Sequence, residues 1–131
     1  MTHADLAASY LRSARRRLPT LDLLLASEGY NDVVRGAQDI VELAGKAMLR
    51  AIGSDPPHVH DVGERLLAHL ERFAPEVRAD LPRLAQVSRQ LNSTANSDFE
   101  VCGGHCFWRR WSLFTGRRRG RWLGNVVAVV G

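Results

Sequence analysis

The chain has 131 residues, 45% of them hydrophobic, which is enough for the core of one domain but leaves little for a second. No apolar run is long enough to predict a transmembrane helix, and the start, MTHADLAASY, lacks the basic stretch and apolar run of a secretory leader, so a cytoplasmic protein is expected. The net charge of +4 is not evenly spread: residues 1–101 hold 12 basic and all 14 acidic residues, whereas residues 102–131 hold six arginines and no acid, so the charge does not make the first segment a nucleic-acid binder.

Asp5 to Glu28 reads as one helix or a kinked pair. Leu6, Tyr10, Leu11, Ala14, Leu18, Leu21, Leu24 and Leu25 form its apolar stripe, and Pro19 either kinks the element or starts its second half. Arg12, Arg15, Arg16 and Arg17 mostly face elsewhere, as a solvated face or as contacts for RNA phosphates. Gly29 is the expected stop, and Asn31 or Asp32 the expected cap of the next helix.

The strongest periodicity runs from Asp32 to Ile52. Val33, Ala37, Ile40, Val41, Ala44, Ala47, Met48 and Ala51 follow the spacing of a helix buried along one stripe. On another side Gln38, Glu42 and Lys46 stack one turn apart, with Glu preceding Lys in the favourable order, either as a solvated face or as a functional polar stripe. Gly36 and Gly45 each cost about 1 kcal/mol relative to alanine in a helix, which argues that a neighbour packs closely there. Gly53 and Asp55-Pro56-Pro57 end this helix.

Asp61, with Glu64 three residues on, reads as the cap of a third helix from Val62 to Phe73, which Pro75 terminates. A fourth helix is expected from Asp80 to Asn92, with Leu81, Leu84, Val87, Ser88 and Leu91 inward; Asn92 to Ser97 is a poor continuation. Short connections favour antiparallel neighbours, so the fold class is all-α, an up-and-down four-helix bundle.

At this point the run AQDIVELAGKAMLRAIGSDPPHVHDVGERL resembles the HEPN domain of prokaryotes, in which Gln, Glu and Lys at four-residue spacing precede a Gly, a Pro pair and a His-Asp restart. The resemblance covers most of residues 4–101, reaching Val87-Ser88-Arg89-Gln90-Leu91, and fails beyond. It implies a domain over residues 1–101, a homodimer, and a protein that binds nucleotide or RNA, often beside a minimal nucleotidyltransferase in a toxin–antitoxin or stress module. Many such domains are metal-independent ribonucleases marked by an Arg followed, after four to six residues, by a His. Here Arg50 lies too far before His58 and Arg65 too close to His69, so no catalytic residue is assigned and a non-catalytic binding or partner role ranks above an enzyme. The alternatives are an RNA endonuclease with residues outside that signature and a non-catalytic helical interaction module.

Candidate nucleotide- or RNA-binding residues are Gln38, Glu42, Lys46, His60, Asp61 and Arg89. His60 belongs either to a helix end or to a polar groove with the Gln38, Glu42 and Lys46 ladder; Arg89 suits either a phosphate contact or an ion pair with Glu42 or another acid. No cofactor or metal is assigned, since Cys102, His105 and Cys106 have no second pair at zinc-site spacing.

The segment 102–131 breaks in composition and lacks the turn and final amphipathic helix that the resemblance leads one to expect, so it reads as an out-of-frame or disordered tail with the closing helix missing. Taken at face value, its Arg and Trp residues would suit an anionic membrane surface or base stacking, with Val126 to Val130 as a short strand; no membrane partner is expected for the domain itself.

Overall fold

The computed structural model describes residues 1–95, and the expectations for 96–131, including the tail, the cysteines and the missing closing helix, lie outside them. The described residues form helices joined by turns and loops, with no strand among them, in the order α1 (His3–Ala26), α2 (Tyr30–Ala51), α3 (Gly63–Ala68), α4 (Pro75–Arg78) and α5 (Leu81–Ala95). A 3-10 turn at Leu70–Arg72 separates α3 from α4.

α1 begins in a capping box: the Asp5 amide donates to Thr2 Oγ1 at 3.1 Å and the Thr2 amide to Asp5 Oδ2 at 2.9 Å. Those hydrogen bonds from the Thr2 backbone and hydroxyl hold the Asp5 carboxyl below its ordinary value. Pro19 does not divide the helix. It is exposed, so water can satisfy the carbonyl that loses its amide partner. The helix ends in a Schellman motif, with the Gly29 amide donating to the Leu24 carbonyl at 2.9 Å and the Glu28 amide to Leu25 at 3.0 Å. The left-handed position falls on Glu28, at φ 60°, rather than on the expected Gly29, which instead starts α2. Neither Asn31 nor Asp32 caps α2; Asp32 lies inside its first turn, where a negative charge suits the helix dipole.

α2 is the central element. Val33, Val34, Ala37, Ile40, Val41, Ala44, Ala47, Met48 and Leu49 are all buried, which is broader than one stripe because α1 covers one side while α3 and α5 cover another. Ala51, expected inside, is exposed in the last turn, past the point where neighbours cover its stripe. The helix stops in a second Schellman motif, with Ser54 donating to the Leu49 carbonyl at 2.9 Å and Gly53 at φ 76°. α1 runs antiparallel to it, Arg17 pairing with Asp39 at 3.0 Å and Leu21 packing over Gly36; α5 is antiparallel on the other side, Gln38 donating to Asn92.

Two glycines set the helix approaches. A Cβ on Gly45 would fall inside van der Waals contact of Val62 Cγ2 and 3.3 Å from its Cβ. A Cβ on Gly63 would lie 2.9 Å from Ala85 Cα, so α3 crosses α5 backbone to backbone.

The expected third helix is broken. α3 lasts six residues, the chain tightens into the 3-10 turn, and Phe73 and Ala74 are extended before Pro75, whose ring disfavours a helical Ala74. α4 then starts with Pro75 in its first turn, a short helix absent from the sequence expectation. α5 continues through Asn92 to Ala95, past the expected end. Its Asn92 side chain is tied back to α2 by Gln38, a tertiary contact that overrides weak local propensity. Leu66, Leu81, Leu91, Met48 and Leu49 form the fully buried centre.

Candidate functional site

The Gln38, Glu42 and Lys46 ladder lies on the flank of α2 that meets α5 and the α2–α3 loop. It is not a solvated face: the Glu42 and Lys46 side chains are 14% and 18% exposed. Lys46 Nζ donates to Glu42 Oε1 at 2.5 Å, and His60, from the loop, approaches Glu42 Oε2 with Nδ1 at 2.7 Å. An ionised carboxylate only accepts, so His60 Nδ1 carries the proton and Nε2 is left to face outward from a 72% exposed side chain.

One turn before Glu42, Gln38 Nε2 donates to Asn92 Oδ1, placing two amides in the same groove. Below His60, Asp61 Oδ1 accepts from the Gly63 amide at 3.0 Å and from the buried Ser88 hydroxyl at 2.8 Å. Asp61 therefore secures the start of α3 and pins it to α5. The N-cap itself is Val62, and Glu64 is exposed, so the expected Asp61–Glu64 capping box does not form. Asp61 reaches the amide two residues on, through an Asx-type turn.

Three sequence candidates, Glu42, Lys46 and His60, are thus joined by hydrogen bonds; Gln38 lies one turn before them and bonds Asn92 instead, and Asp61 secures the loop next to His60. Arg89 is exposed next to Ser88 in sequence, and it makes no ion pair with Glu42, whose two oxygens are occupied by Lys46 and His60. Asn92, where the sequence reads as a poor helix continuation, is the contact that the sequence candidates lack. Its spacing of four from Ser88, already read as inward, was the available signal.

The charge state of the groove turns on Glu42. Burial pushes its carboxyl up, but hydrogen bonds from Lys46 and His60, with their charges, outweigh that and leave it below its ordinary 4.5. A depressed folded value means that the stability contributed by Glu42 is present above pH 4.5 and is lost as the pH falls through the lower folded value. Glu42→Gln is accordingly expected to flatten the acid side of the stability curve below about pH 4.5, measured by urea unfolding across pH, while wild type loses stability there. An unchanged acid slope in the variant counts against the hydrogen-bonded carboxylate.

The arginine and histidine residues nearest to a ribonuclease signature are engaged elsewhere. Arg50 pairs with Asp55 at 2.5 Å and lies 3.4 Å from His3 Nδ1, while His69 Nε2 is 3.3 Å from Ser54 Oγ. His58 is exposed. Among the described residues no three His, Cys, Asp or Glu side chains are grouped to hold a metal ion, and no helix is long and apolar enough to cross a membrane.

The model of the HEPN domain family matches residues 7–98. The chain belongs to the HEPN family. The match takes in α1 to α5 almost entirely, so the polar groove and its supporting loop all lie within the HEPN domain. No curated protein and no solved structure matches the chain. What this HEPN domain offers chemically is an oriented imidazole and an ammonium with two donors left over, beside a Gln38–Asn92 amide pair bonded to each other with the Asn92 Nδ2 buried.

Proposed function

We propose that this HEPN domain is a non-catalytic binder of nucleotide or RNA, working as a homodimer and as the partner of a minimal nucleotidyltransferase in a toxin–antitoxin or stress module. The observation that carries the binding reading is the Lys46–Glu42–His60 cluster, in which the Lys46 ammonium keeps two donors and the exposed His60 ring one nitrogen, one turn from the Gln38–Asn92 pair. An ammonium and an imidazole suit the phosphate oxygens of a nucleotide. The non-catalytic part rests on the sequence, which lacks the Arg-to-His spacing of the ribonuclease members.

Thermal unfolding of the full chain with and without AMP, ATP and a short single-stranded RNA tests this. A ligand at about a hundred times its Kd adds about 2.7 kcal/mol, enough to raise Tm by several degrees, and Lys46→Ala is expected to abolish the rise. No shift with any of the three, for a chain that still dimerises in sedimentation, would leave a helical interaction module instead.

A second reading is favoured by the Glu42–His60 contact at 2.7 Å, since a carboxylate-held imidazole is suited to act as a general base. Cleavage of RNA in chelator, lost in His60→Ala, would make the domain an endonuclease outside the usual signature.

A further inference from the structure

The run Arg12 to Arg17 is not used by the groove. α1 buries Ala7, Leu11 and Ala14 against the bundle. At 3.6 residues per turn, Arg12, Arg15 and Arg16 fall within an arc of about 100° that runs from one flank of that buried stripe, where Arg15 stands about 40° from Leu11, to the far side of α1 at Arg16. All three are exposed. Arg17, on the flank, is neutralised by Asp39 at 3.0 Å, whereas among the described residues no carboxylate lies within ion-pair distance of the other three. Asp5, which Arg12 influences at longer range, has its carboxylate held in the Thr2 cap.

We infer that Arg12, Arg15 and Arg16 form an anchoring strip for the phosphate backbone of RNA, on the exposed side of α1 and separate from the polar groove. The inference rests on the reading that the domain binds nucleotide or RNA, and names the polymer as the ligand of this second surface. Side chains three and four residues apart on a helix stand about 5–6 Å from one another, comparable to the separation of successive phosphates on one strand. All three are arginines, whose fixed fork matches a phosphate with two parallel hydrogen bonds, and each released counterion adds to the salt dependence of binding. An acidic protein would need only charge there.

The test is fluorescence anisotropy of the full chain with a labelled single-stranded oligouridylate over a salt series, comparing wild type with Arg12→Gln/Arg15→Gln/Arg16→Gln and with the matching triple lysine variant. Each phosphate contact on a single strand contributes about 0.7 to the slope of log K against log salt, so the glutamine variant is expected to lose about 2 from the slope. The lysine variant keeps the slope, and AMP binding is the same in all three. Any contribution from residues 102–131 is common to the three proteins and cancels. An equal slope in wild type and glutamine variant, with RNA still bound, overturns the strip while leaving the groove reading intact. Binding of polyglutamate as tight as that of RNA overturns it in favour of an acidic protein. Loss of both AMP and RNA binding in wild type removes the functional reading itself, and the strip with it.

Discussion

Leu66→Ala is expected to lower the unfolding free energy by about 2–5 kcal/mol, with a matching fall in the urea midpoint at unchanged m value. Leu66 is fully buried and is the main anchor of α3, a helix of six residues. A helix that short is not stable through its own hydrogen bonds, so its place depends on Val62 and Leu66 gripping α2 on either side of Gly45. Loss of that grip also loosens the segment that carries His60 and Asp61. A loss below about 1 kcal/mol would mean that α3 is held by something other than its apolar face.

Gly45→Ala is expected to destabilise the chain although alanine is the better helix former. The propensity gain is about 1 kcal/mol. Against it, the new methyl would overlap Val62 Cγ2 and press on Val62 Cβ at 3.3 Å, and overpacking of a tight core typically costs about 1–3 kcal/mol. Val62 is a short branched side chain, fully buried, with nowhere to rotate. Gly36→Ala is the internal control: its methyl would meet only the Cδ2 end of Leu21, at 2.7 Å, and Leu21 is partly exposed and able to swing away. Chemical unfolding of the two variants, with Gly45→Ala/Val62→Ala as a relief variant, separates packing from propensity. Equal stabilities for Gly36→Ala and Gly45→Ala would refute the close approach of α2 and α3.

Those two glycines also mark how much was legible beforehand. Their cost inside an otherwise strong helix pointed to close packing, and the structure supplies Leu21 and Val62 as the neighbours. The stripe of α2 was legible because a 3.6-residue period survives any detail of packing, yet it understated burial: Val34 and Leu49 are core residues too, since the helix is covered on more than one side. Periodicity says which residues share a face, not how many faces are occupied.

What escaped the sequence was partly local turn geometry and partly contacts distant in the chain. The Glu28 left-handed turn arises from the Schellman pairing, which outweighs the usual preference for glycine. α3 ends at Ala68, well before Pro75, where the chain tightens into the 3-10 turn, and the extension of α5 follows from the Gln38–Asn92 bond. The groove was half legible: spacing put Gln38, Glu42 and Lys46 on one face, but only the fold of the Pro56-Pro57 loop brings His60 onto Glu42.

The central claim is that this groove is a ligand site, and nuclear magnetic resonance titration of the full chain with AMP tests it most directly. Saturable shifts are expected at the Gln38 and Asn92 side-chain amides and at the backbone of Glu42, Lys46, His60 and Asp61, with Arg12, Arg15 and Arg16 unmoved. Shifts confined to other elements, or no saturable shift at all, would contradict it.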